Sequence, residues 1–159
     1  MGPGLGPDPP PAVRRAGTPA GIASMETTQI RLDTSGRSVV DVTSEVVAFC
    51  GGRGDGLCHV FAPHATAGLA LMETGSGSEA DLTSTLERLL PRDDRYRHRH
   101  GSPGHGADHV LPALVSPSMV LAVRDGRPVL GTWQSVVLVD LNPDNPERQL
   151  ILSFLSDHP

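Results

Sequence analysis

The chain predicts an α+β fold, and three observations carry that prediction. Helical periodicity is confined to two early segments, strand-like runs and hairpin signals crowd the second half, and the apolar complement is aliphatic: 38% of the 159 residues are hydrophobic but only 3% are aromatic. Helices placed early and hairpins late, without strict strand–helix alternation, belong to the α+β class. A chain of this length suits one domain.

Residues 1–24 are rich in Gly, Pro and Ala, include Pro9-Pro10-Pro11, and offer few large apolar groups. Such a segment cannot offset the entropy of ordering itself. It is expected to be a disordered tail, followed by a single domain over 25–159. No apolar stretch follows Arg14-Arg15, so an export signal is not expected, and the protein is placed in the cytoplasm. From Thr27 to Asp33 the sequence alternates, with Ile30 and Leu32 on one face, and predicts a strand. Thr34-Ser35-Gly36 is a turn, and Ser38 to Val42 is a short extended piece. Thr43 is expected to N-cap a helix with Glu45 in its first turn, running to Cys50 and stopping at Gly51-Gly52.

Strands are expected over Leu57–Pro63 and Ala67–Met72. The second helix is capped by Ser78, has Asp81 three residues on, and carries Leu82, Leu86, Leu89 and Leu90 on one face, with Pro91 at its end. Val110–Val115 predicts a short helical turn. Ser118–Arg124 is a strand leading into an Asp125-Gly126 hairpin turn. Ser135–Leu141 is a continuous apolar run and so a buried strand, and Arg148–Leu155 is the last strand. The tally is about seven strands and two helices.

The formal charge of −5 and pI near 5.7 argue against a nucleic-acid partner. No apolar run approaches the ~18 residues of a membrane span. Without an export signal, Cys50 and Cys58 read as reduced thiols, and their spacing is far from the C-x-x-C of zinc sites.

Between the second helix and the later strands lies Tyr96 to His109, a glycine-rich stretch holding four of the seven histidines. It reads as a loop, and long loops in compact domains usually have a function. Imidazole is the commonest protein metal ligand. His64, at a strand end, and His98 and His109, at the two ends of the loop, are the candidate ligands. Three imidazoles are the ligand set of a catalytic zinc that keeps one position open; the alternative is that they are solvated. His100 and His105 read as solvated, His59 as a strand-face residue and His158 as part of the tail. Trp133 reads as core.

Three ordered stretches carry a resemblance. They are His64-Ala65-Thr66-Ala67-Gly68-Leu69 with Glu73; Asp81-Leu82 through Leu90-Pro91, then Tyr96-Arg97-His98 and His109; and Gly126-Arg127 with Leu130-Gly131-Thr132-Trp133-Gln134. From about Thr27 to Leu155 the chain resembles the YjbQ family, also called UPF0047, some members of which are described as secondary thiamine-phosphate synthases. The resemblance implies an α+β domain with mostly antiparallel, sandwich-like sheets and two helices, assembled as a homotrimer. It implies a divalent metal, zinc by ligand type or magnesium with a pyrophosphate substrate, on His64, His98 and His109. It implies catalytic roles for Glu73 and His64, and a small-molecule substrate contacted by Thr66, Arg127, Thr132 and Gln134. The implied reaction joins hydroxymethylpyrimidine pyrophosphate to thiazole phosphate. The alternatives are a metal- or ligand-binding trimer without catalysis, and a metal-assisted hydrolase. The chain departs from the family in carrying Leu111-Pro112-Ala113 where Lys-Ser-Ser is usual, Gly104-His105 in place of Asp-Asn, Met72 in place of Asn, and Ala65 in place of Thr.

Overall fold

The computed structural model describes residues 25–93 and 95–156; the tail 1–24, with the disorder expected there, and His158 lie outside the described residues. In chain order the elements are β1 Met25–Asp33, β2 Val39–Asp41, α1 Thr43–Cys50, β3 Gly56–Phe61, β4 Ala67–Met72 and α2 Ser78–Leu89. There follow α3 His105–Asp108, α4 Leu111–Leu114, β5 Ser118–Arg124, β6 Arg127–Pro128, β7 Ser135–Asp140 and β8 Glu147–Ser156. The strands form a five-stranded sheet of order β1-β8-β3-β5-β6 and a three-stranded sheet of order β2-β7-β4. Every pairing is antiparallel. The α+β class read from the sequence is the class observed.

The apolar pattern of β7 explains the layering. Val136 and Leu138 point into the main core, where they meet Cys58, Val60, Leu121, Leu150 and Leu152 of the larger sheet. Val137 and Val139 point the other way, into a second cluster with Leu86, Leu90, Ala107 and Leu111 of the helices. A strand buried on both faces reads as a continuous apolar run, as Ser135–Leu141 does. The smaller sheet is thus the middle layer, with the larger sheet on one side and α2, α3 and α4 on the other. Among the described residues nothing covers the outer face of the larger sheet, and Leu57, Val120 and Leu155 are exposed there.

Several local expectations are corrected. Thr43 is not a cap: it is the first residue of α1, and its Oγ1 accepts from the Val136 amide at 2.8 Å instead. Ser78 likewise lies inside α2, because Gly77 takes the cap position with φ +97°, a conformation that favours glycine. Leu89 is 63% exposed and so leaves the apolar face, while Leu86 and Leu90 are buried. Trp133 is 73% exposed rather than core; it sits in the turn between β6 and β7, beyond the reach of either cluster. Cys50 and Cys58 are free and buried, and burial pushes the Cys58 thiol up to about 12.

Candidate metal centre

The stretch 95–110 is anchored from below. Ala107 of α3 and Leu111 of α4 are buried in the cluster under β7, and Tyr96 packs against them. Gly104 takes φ +82° and lets the chain turn into α3. Gly106 is required there because a Cβ would come within 2.5 Å of Tyr96 Cβ. His105 opens α3 and His109 caps its C-terminal end, four residues on and so on the same side of the turn. His98 and His100 approach from the irregular segment that precedes α3.

Four histidines therefore converge. One ring nitrogen from each of His98, His100, His105 and His109 lies within 4.8 Å of all the others. His105 Nε2 and His109 Nε2 are 2.9 Å apart, and the rings of His98 and His109 are centred 4.3 Å apart. A tetrahedral ion with nitrogens at ~2.0–2.1 Å separates its ligands by roughly 3.3 Å, so the cluster fits such an ion with small side-chain adjustments. Burial, reinforced by neighbouring imidazoles, holds His98 and His109 below the ordinary histidine range. These two rings, His98 and His109, are thus biased toward the neutral form that binds metal.

Behind the rings stand carboxylates. His105 Nδ1 lies 3.0 Å from Asp144 Oδ2 and 3.8 Å from Asp108 Oδ2. Asp108 is buried and paired with Arg92, which also donates to the Leu141 carbonyl. Asp144 accepts from the Ser102 amide at 3.0 Å. Tyr96, His98, Arg99, His100, Ser102 and His105 line a cavity of about 260 Å³.

The sequence-based candidates divide. His98 and His109 come together; His64 is outside this cluster. His64 Nε2 instead accepts from the Gln149 amide at 2.9 Å, and burial with the nearby Arg148 lowers its pKa. Thr66 is buried in a polar network in which Arg148 grips Asp140 through two hydrogen bonds of 2.6 and 2.9 Å and donates to Thr66 at 3.2 Å. Glu73, Arg127, Thr132 and Gln134 are exposed, and Gln134 Oε1 accepts from the Gly131 amide at 2.8 Å. His105 is 8% exposed, which corrects its reading as solvated. The sequence reading also passed over Asp144, Asp108 and Arg92. The four-residue spacing of His105 and His109 was the available signal, but α3 is too short to show a period.

Fold and site together define an α+β two-sheet domain with an imidazole cluster held on its helical side. A family model for UPF0047 protein YjbQ-like matches residues 28–157, and the chain belongs to this family. A UPF0047 protein of Mycobacterium tuberculosis is 63% identical over 131 residues, covering 82% of this chain and 98% of that protein. UPF0047 protein YugU of Bacillus subtilis is 29% identical over 122 residues, covering 74% and 89%. Among solved structures, a YbjQ-like protein from Sulfolobus solfataricus superimposes with a TM-score of 0.78 at 24% identity, covering 86% of this chain and all of that one. A hypothetical protein from Aeropyrum pernix does so with a TM-score of 0.74 at 28% identity, covering 83% and 99%.

Proposed function

We propose that the domain is a metal-dependent enzyme whose histidine loop holds one divalent ion. The observation that carries this reading is the convergence of the four imidazole nitrogens. Imidazole suits zinc, copper and nickel, whereas magnesium takes oxygen ligands. The donor set therefore favours zinc, with magnesium entering only alongside a pyrophosphate substrate. When bound, the ion supplies positive charge beside a phosphate or pyrophosphate leaving group. Arg99, which lines the same cavity, adds a cation suited to such oxygens.

The finer reading is the reaction that the resemblance implies, joining hydroxymethylpyrimidine pyrophosphate to thiazole phosphate. Here His64 and Glu73 take catalytic roles, and Thr66, Arg127, Thr132 and Gln134 contact substrate across the interfaces of a cytoplasmic homotrimer. The uncovered apolar face with Leu57, Val120 and Leu155, together with exposed Trp133, supports assembly. The free, buried thiols fit a reducing compartment. One observation favours a second reading: four imidazoles fill all four positions of tetrahedral zinc, and catalytic zinc keeps one open. The second reading is a metal-binding protein without catalysis.

The test is elemental analysis after dialysis, paired with an assay of thiamine phosphate formation before and after chelation. One zinc per chain and zinc-dependent product support the enzyme. Zinc without product supports the second reading. A metal-free protein after growth with added zinc sinks both.

A further inference from the structure

We propose that Asp144 is a positioning residue for the metal centre: its carboxylate holds the ring proton of His105 on Nδ1, and so presents the Nε2 lone pair to the ion. The assignment rests on the metal-site reading above and concerns a residue far from the histidine loop in sequence.

The two nitrogens of His105 face different worlds. Nε2 points into the cluster, 2.9 Å from His109 Nε2. Nδ1 points to the opposite side, toward Asp144 at 3.0 Å and Asp108 at 3.8 Å. The ring is 8% exposed, and Nδ1 is buried and makes no hydrogen bond in this arrangement; Asp144 Oδ2, at 3.0 Å, is within reach, and a small side-chain turn aligns it with the ring N–H. Among the described residues, the carboxylates of Asp144 and Asp108 are the acceptors that face Nδ1. Asp108 Oδ2 is also buried without a partner, but at 3.8 Å it lies beyond hydrogen-bond reach of Nδ1. Asp144 is the nearer acceptor. A neutral imidazole that gives its Nδ1 proton to a carboxylate keeps its lone pair on Nε2, and a carboxylate behind a liganding histidine is the usual arrangement in metal sites.

The position of Asp144 is itself fixed. It lies in the loop joining β7 to β8, where its amide donates to Asn142 Oδ1 at 2.8 Å. Asn142 is buried, and its amide donates to Asp140 Oδ1 at 3.1 Å. Asp140 is in turn gripped by Arg148. On its other side Asp144 accepts from the Ser102 amide, so the same carboxylate that faces His105 also holds the backbone of the histidine loop.

The test uses the full chain. Zinc affinity is measured by competition with a chromophoric chelator in the parent, Asp144→Asn and Glu87→Gln. Asparagine keeps an oxygen for the Ser102 amide but loses the charge; Glu87 is an exposed residue of α2. Asp144→Asn is expected to weaken zinc binding by about 10–100-fold, with Glu87→Gln at the parent value. Nitrogen NMR shifts of the His105 ring, in zinc-free protein at about pH 8, read the tautomer directly. The expectation is an Nδ1–H ring in the parent and a shift toward Nε2–H in Asp144→Asn. Parental zinc affinity in Asp144→Asn, or an Nε2–H ring in the zinc-free parent, overturns the assignment. A parent that takes up no zinc refutes the metal-site reading alone, and the ring shifts then decide the role of Asp144.

Discussion

His98 and His109 sit among neighbouring imidazoles that oppose their protonation. His98 and His109 are held below the ordinary histidine value by burial first and by neighbouring rings second, and His64 by burial and Arg148. The unfolded chain therefore binds more protons than the folded one below about pH 6.5. Stability of the zinc-free domain should fall as pH falls through that value, because its slope follows the excess protons of the unfolded state. Asp108, raised by burial, acts in the opposite sense nearer the carboxylate range. Denaturant melts across pH 5–8 check the sign; flat stability over that window would contradict it. His98→Ala, His105→Ala and His109→Ala should each remove most of the zinc, read by elemental analysis. His64→Ala should keep zinc and lose any activity, since this ring already meets the Gln149 backbone. Arg148→Ala leaves Asp140 as an unpaired buried charge and should cost roughly 3–5 kcal/mol in a urea melt.

At the scale of elements, the histidine loop depends on α3, a single turn that no period could announce. Gly106→Ala puts a methyl against Tyr96 and within 3.1 Å of the His98 carbonyl. Overpacking of this kind costs roughly 1–3 kcal/mol. The variant should melt lower and bind zinc more weakly, because His98 is displaced; parental zinc affinity would show that the loop tolerates the push. Part of the fold was legible: β4 falls at the expected Ala67–Met72, and α1 ends at Cys50 where Gly51-Gly52 was expected to stop it. The caps were not legible, because a hydroxyl near a helix start can serve another backbone. Thr43 serves Val136. Half of the histidine cluster was legible. His98 and His109 stood at the loop's ends, but whether His105 is solvated depends on the turn at Gly104, and Asp144 enters from another loop.

At the scale of the molecule, the three layers formed by the described residues leave one broad face of the larger sheet without a cover. Leu57 and Val120 are neighbours on that face across the β3–β5 ladder, and Leu155 lies directly opposite Leu57 on β8. Light scattering should report a trimer at micromolar concentration, and Val120→Asp should break it. A monomeric parent would remove the interface from which His64 and Glu73 are proposed to act.

All four imidazoles lie within positions 98 to 109, while the carboxylate behind them comes from the β7–β8 connection, 42 residues beyond Ser102. This has a consequence for how the molecule opens. Without an ion, the loop is free to detach from the β7–β8 connection in excursions that cost less than global unfolding. An ion bound only in the closed arrangement deepens that arrangement by ~2.7 kcal/mol at a hundredfold excess over its dissociation constant. Amide hydrogens of 98–109 and 141–146 should then exchange together and more slowly with zinc present, while those of β1, on the far sheet, keep their pace. Zinc would turn two neighbouring segments into one unit that opens as a whole.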